Sequence, residues 1–127
     1  MLDTNIASYI VRGHAKPQAI ALARIGQWGI SAIVAGELEV LQRRTGNPSV
    51  EEGVLRFLRE VEIVPFGADA AFEYGLLRAE AMRQGRDRPV ADSLIAAHAL
   101  AEGAILVTNN QKDFAGIEGL HLDNWLS

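Results

Sequence analysis

The feature that most constrains this chain is a pair of consecutive segments near its C-terminus. Pro89 to Glu102 is apolar nearly all round and stops at Gly103, and the short apolar run Ala104 to Val107 follows at once. A helix without a polar face belongs inside a protein, and a four-residue apolar run has the length and composition of a parallel strand covered on both faces. Apolar runs and helical periods alternate in the same way along the rest of the chain. That alternation predicts an α/β fold with a parallel central sheet.

In that frame Met1 and Leu2 end a very short first strand and Thr4 to Val11 forms the helix after it. Lys16 to Ile25 is a second helix, with Pro17 in the first turn where proline is tolerated. Trp28 to Ser31 is a strand. Val34, Leu38 and Leu41 recur at helical spacing and make Ala32 to Arg44 a core-facing helix, ended by Gly46, Asn47 and Pro48. A helix over Val50 to Glu60 leads into a strand over Val61 to Phe66, then a long helix over Ala68 to Gln84 closed by Gly85. Leu120 to Leu122 adds an edge strand. No linker or repeat interrupts the 127 residues, so the expectation is a single domain over 1–127.

Composition narrows the chemistry. There are no cysteines and only three scattered histidines, which excludes disulfides and thiolate metal sites and leaves oxygen ligands for any metal. No apolar run is long enough to span a bilayer and no signal-like series opens the chain, so the expected location is cytoplasmic, with no membrane. The net charge of −4 runs against nucleic-acid binding, except that carboxylates dedicated to cations count as negative only until the cations bind. Arg43, Arg44, Arg83, Arg86 and Arg88 fall in short groups that read either as a local basic rim or as solvated charge on helix faces.

The acids carry the functional signal, and each also has a plain structural reading. Asp3 follows the first strand directly, at the carboxyl end where open α/β sheets bind ligands, yet Asp is also a preferred helix cap. Glu37 falls on the apolar stripe between Val34, Leu38 and Leu41, whereas Glu39 points away; a carboxylate there is metal-bound, paired with Arg43 or Arg44, or reaching out to water. Asp92 stands in the first turn of the most apolar helix, where the macrodipole favours an acid. His98, in that same helix, reads as a satisfied or partly exposed side chain and not as a ligand. Thr108, Asn109, Asn110 and Asp113 follow the buried strand, either as an ordinary polar turn or as groups delivered to the same sheet edge as Asp3. Taken together the four acidic segments converge on one crevice. Clustered carboxylates without His or Cys specify a hard cation such as Mg²⁺ or Mn²⁺, and the natural reaction is phosphodiester hydrolysis. Asp3, Glu37, Asp92 and Asp113 are therefore the expected catalytic residues and direct or water-mediated metal ligands. Which of them orients the attacking water stays open.

The blocks MLDTN (Met1 to Asn5), ISAIVAGEL (Ile30 to Leu38), ADSLIAAHAL (Ala91 to Leu100), LVTNNQKDF (Leu106 to Phe114) and GLHLDNW (Gly119 to Trp125) resemble, in order and spacing, the VapC toxins of bacterial VapBC toxin–antitoxin pairs. The resemblance implies a PIN domain, a three-layer α/β/α fold around a parallel central sheet of 4–5 strands, whose acidic pocket uses Mg²⁺ or Mn²⁺ to cut RNA, tRNA or other structured RNA by family habit. It also implies a homodimer and a VapB-type antitoxin that covers the pocket. By position it makes Asp3, Glu37 and Asp92 the first three acids of the family, with Asn5, Ser31 and Thr108 as supporting polar residues. The fourth acid varies in that family between the positions of Asn110 and Asp113 here. Val34 stands where a hydroxyl residue is common, and the first strand lacks the apolar residues that usually precede the motif; if nothing precedes Met1, the strand carrying Asp3 has less support.

Rival readings fare worse. A haloacid-dehalogenase-like phosphatase needs an acid at the position of Asn5, and a receiver domain needs a lysine that Lys112 is poorly placed to supply. The remaining alternative is a PIN-fold binding or dimerisation module without catalysis. Helices near Ala32 to Leu58 are the expected dimer face.

Overall fold

The computed structural model describes residues 1–127. Two parallel two-stranded ladders, β1 (Ile30–Ser31) with β2 (Ile63–Val64) and β3 (Leu106–Val107) with β4 (Leu122–Asp123), are joined through one residue. Leu2 bridges Ile30 on one side and Val107 on the other, both in parallel. The resulting order is β2, β1, Leu2, β3, β4, a parallel sheet of the expected width.

The segment carrying Asp3 is thus held from both sides. The Leu2 N–H donates to the Gly29 carbonyl, the Asp3 N–H to the Val107 carbonyl at 3.0 Å, and the Val107 N–H to the Met1 carbonyl at 2.8 Å. Leu2 is fully buried, as are Ile6, Ile30, Val34, Leu38 and Leu106 in the same core.

The helices are α1 (Thr4–Val11), α2 (Ala15–Ala23), α3 (Ala32–Arg44), α4 (Pro48–Glu60), α5 (Ala68–Arg83), α6 (Val90–Glu102) and α7 (Gln111–Phe114). Local chemistry fixes their ends. Ser31 caps α3, Asn47 caps α4 with Pro48 at its first position, and α6 closes on Gly103 in the left-handed region at φ 62°. α6 buries Ser93 and every residue from Ile95 to Ala99, as its all-round apolar sequence requires. α5 packs on α6, α3 on α4, and α1 against α2 and α4. A Cβ on Gly53 of α4 would stand 2.7 Å from the Val11 carbonyl, so only glycine allows that close approach to the end of α1.

The strands are shorter than expected, for two identifiable reasons. Ser31 ends β1 and at once caps α3, and Pro65 follows Val64 with no N–H to extend the β2 ladder. The edge strand falls at Leu122–Asp123, not Leu120–Leu122, and α7 was not expected because four residues are too few to show a period. His98 is fully buried and not partly exposed: its Nδ1 lies 2.7 Å from Ser31 Oγ, while its Nε2 has no hydrogen-bond partner and lies 3.7 Å from Glu102.

Candidate active site

Because every strand runs the same way, the residues that follow Leu2, β1 and β3 arrive at one edge of the sheet. Asp3 serves two ends there. Its Oδ1 accepts the Ile6 N–H at 2.9 Å and so caps α1, which leaves its second oxygen for other partners. Only 5% of the residue is exposed, and burial, with repulsion from Glu37, raises its pKa. Hydrogen bonds from the Thr108 hydroxyl and from the Ile6 and Asn5 N–H groups work against that rise. The capping and crevice readings of Asp3 are compatible.

Glu37 projects from α3 and is half-buried. It accepts a short hydrogen bond from Thr4 Oγ1, the residue directly after Asp3, which ties α3 to the start of α1. Arg43 does not pair with it; Arg43 pairs with Glu39 at 3.2 Å.

Asp92 lies in the first turn of α6, but the cap of that helix is Pro89 and no side chain caps it. Capping therefore does not account for Asp92. Its pKa is raised by burial first, then by the charges of Asp113, Asp3 and Glu37 in that order. The charges of the other three acids thus all reach Asp92. Asp113 is exposed on α7, whose backbone is gripped by Arg88: Nη1 donates to the Asp113 carbonyl and Nη2 to the Ala115 carbonyl at 3.0 Å.

The supporting residues divide. Thr108 is fully buried, and its Oγ1 accepts the Asn110 N–H at 3.0 Å, so it fixes both Asp3 and the turn after β3. Ser31 is fully buried beneath the crevice, where its Oγ accepts the Ile33 N–H and meets His98. Asn5 and Asn110 are exposed. Sequence reasoning missed Thr4, although it stands inside the quoted first block, and it saw Arg88 only as rim charge. The Ser31–His98 contact had no local signal, because its partners are 67 residues apart.

No three His, Asp or Glu side chains converge to hold a metal ion in this arrangement. The donor set is nevertheless of the kind hard divalent cations take: carboxylate oxygens only, two of them on acids whose ionised form burial and mutual repulsion disfavour. A concavity of about 740 Å³ between α2 and α4, lined by Leu22, Ile25, Trp28 and Phe57, contains none of the four acids.

Fold and crevice together define a small α/β domain with an all-carboxylate edge. The PIN domain family profile matches residues 1–120. The chain is 40% identical to Ribonuclease VapC2 of Rickettsia felis, over 98% of this chain and 96% of that protein. It is 35% identical to the tRNA(fMet)-specific endonuclease VapC of Shigella flexneri, over the same shares. Among solved structures, VapBC2 of Rickettsia felis bound to a promoter DNA fragment superposes with a TM-score of 0.84 at 37% identity, covering 98% of this chain and 97% of that one. DNA-bound VapBC of Salmonella typhimurium gives a TM-score of 0.88 at 28% identity, covering 98% and 96%. The chain belongs to the PIN domain family, among the VapC ribonucleases.

Proposed function

We propose that this chain is the toxin of a VapBC pair, a hydrolase that cuts the phosphodiester backbone of tRNA or other structured RNA at the four-acid crevice and is held in check by a VapB-type antitoxin. The observation that carries the reading is that Asp92, without a capping role or a hydrogen bond of its own, is raised in pKa by burial first and then by the charges of Asp113, Asp3 and Glu37, the other three acids of the crevice. A structure that only needed to fold gains nothing from that repulsion. The relatives are named as ribonucleases, two of them as tRNA(fMet) endonucleases, and the structural neighbours are toxin–antitoxin complexes.

Asp3, Glu37, Asp92 and Asp113 would hold Mg²⁺ or Mn²⁺, which supplies a water activated at neutral pH and charge stabilisation on the attacked phosphate. The chain's own part is positioning. Thr108 and the α1 backbone orient Asp3 so that one oxygen faces the crevice, Thr4 aims Glu37, and Arg88 steadies the helix that bears Asp113. The cytoplasm, where tRNA resides, is the proposed place of action; no helix is long and apolar enough to cross a membrane. The exposed Val40 on α3 and Leu55 on α4 support a homodimer through that face, and a Val40→Glu variant that still dimerises would remove the assignment.

The deciding experiment is incubation of antitoxin-free protein with total RNA in Mg²⁺ or Mn²⁺, with EDTA and Asp92→Asn as controls. Discrete products lost in both controls are expected. No cleavage, or cleavage that survives Asp92→Asn, would overturn the reading in favour of a non-catalytic binding module or a contaminant.

A further inference from the structure

Cations are scarce on a chain of net charge −4, and several are already committed. Arg24 pairs with Asp123, Arg43 with Glu39, Arg56 with Glu52 and Arg83 with Glu80. The loop 84–89 between α5 and α6 is arranged differently. Arg88 is held by the carbonyls of Asp113 and Ala115, neutral acceptors that fix the guanidinium without cancelling its charge. Its own carbonyl is held in turn by Arg78 Nη1 at 3.0 Å. Arg86 is exposed and forms no ion pair, and its Nη1 lies 3.0 Å from the point where a side chain on Gly116 would begin. The two guanidinium groups repel: burial and then Arg86 lower the pKa of Arg88, and Asp113 only partly offsets them.

Like charges gathered over neutral carbonyls do not stabilise a fold, but they do make a seat for an anion. The seat adjoins the acids, because Arg88 grips the backbone of Asp113, and Asp113 is the strongest electrostatic neighbour of Asp92. Beside it lies an open cleft of about 410 Å³ between α5 and residues 116–118, lined by Arg83, Arg86 and Arg88 and by Glu73, Glu80 and Glu118; Arg83 is taken by Glu80, which leaves Arg86 and Arg88 as the cations without an ion pair there.

We propose that Arg86 and Arg88 bind a backbone phosphate of the RNA next to the one attacked at the acids, with Arg88 as the fixed anchor and Arg86 as the adjustable one. The inference rests on the crevice being an RNA-cleaving site. The fork of a guanidinium matches phosphate oxygens, and two such groups oppose the net negative charge that would otherwise repel the strand.

The test is steady-state cleavage of tRNA by the full chain across a salt series. Arg86→Ala should raise KM about tenfold, change kcat by less than about twofold, and flatten the dependence of log(kcat/KM) on log[salt] by about 0.7 to 1. Arg86→Lys should recover most of the KM, which a purely structural role would not give. Arg56→Ala, on α4 and paired with Glu52, is the charge control and should leave the salt slope as in wild type. Wild-type KM and slope in Arg86→Ala would overturn the inference. Filter binding of tRNA to Asp92→Asn with and without Arg86→Ala separates the two readings: weaker binding in the double variant supports the phosphate seat even if wild type fails to cleave, and equal binding sinks it.

Discussion

The two halves of the crevice are built by different means. On the sheet side, Asp3 and Thr108 are buried, each is bound to backbone N–H groups, and Asp3 is part of a helix cap. On the α6–α7 side, Asp92 caps nothing and Asp113 is exposed on a four-residue helix held by one arginine. The sheet half would exist for stability alone, whereas the α6–α7 half places charges where folding gains nothing from them. The same residue type therefore carries different obligations on either side of the crevice.

Substitutions break or sharpen this contrast. The largest effect is on turnover, where the halves should behave alike: Asp3→Asn and Asp92→Asn each lower kcat for tRNA cleavage by on the order of 10²-fold or more, the scale of losing one preorganised charge. A variant of either that retains wild-type kcat would exclude that half from the chemistry. Next in size is the response to metal. Mn²⁺ or Mg²⁺ at 100 times its dissociation constant should stabilise wild type by about 2.7 kcal/mol, read as a rise in Tm, and Asp92→Asn should lose most of that rise.

In EDTA the halves should separate. Asp3→Ala removes the α1 cap and costs about 0.5–2 kcal/mol in denaturant unfolding. Asp92→Ala removes repulsion from the other acids together with a favourable interaction with the α6 macrodipole, terms of opposite sign, and should lower stability by less than Asp3→Ala; a loss comparable to that of Asp3→Ala would show that Asp92 has a structural role after all. The smallest effect is on pH dependence. The pKa of Asp92 is raised from its ordinary value of 3.8, so its contribution to metal-free stability is full below that value and is lost as pH rises through the folded pKa. His98 has the opposite sign: its pKa is lowered from 6.5 by burial, so its contribution is present above 6.5 and is lost as pH falls below it. In a Tm–pH curve in EDTA, His98→Gln should flatten the fall as pH drops below 6.5, and Asp92→Asn the opposing fall as pH rises above 3.8.

Much of this was legible in the sequence because it is periodic or local. The stripe of Val34, Leu38 and Leu41 defined α3, the bounds of which match expectation, and the apolar run after Asp92 marked the helix most deeply inserted in the fold. The acids could be singled out because Asp3, Glu37 and Asp92 each offer a functional reading beside a structural one, and Asp113 follows a buried strand toward the sheet edge of Asp3. The unreadable parts depend on distant partners or on pieces too short for a period. Thr4 reaching Glu37, Arg88 holding α7 and Ser31 meeting His98 each cross elements far apart in sequence. Strand lengths were overestimated since an apolar run shows burial, not where a ladder of hydrogen bonds stops.

The middle of the sheet is one residue wide, and Leu2 is that residue. Its neighbours are Ile30, made early, and Val107, made much later. A chain emerging from the ribosome can seat one side of this segment early, but it cannot close the other until β3 has appeared. Contacts of such long sequence separation are slow to form. Asp3 therefore cannot meet Thr108 until residue 108 has been made. The carboxylate that caps α1 is thus in place before the hydroxyl that steadies it from across the sheet.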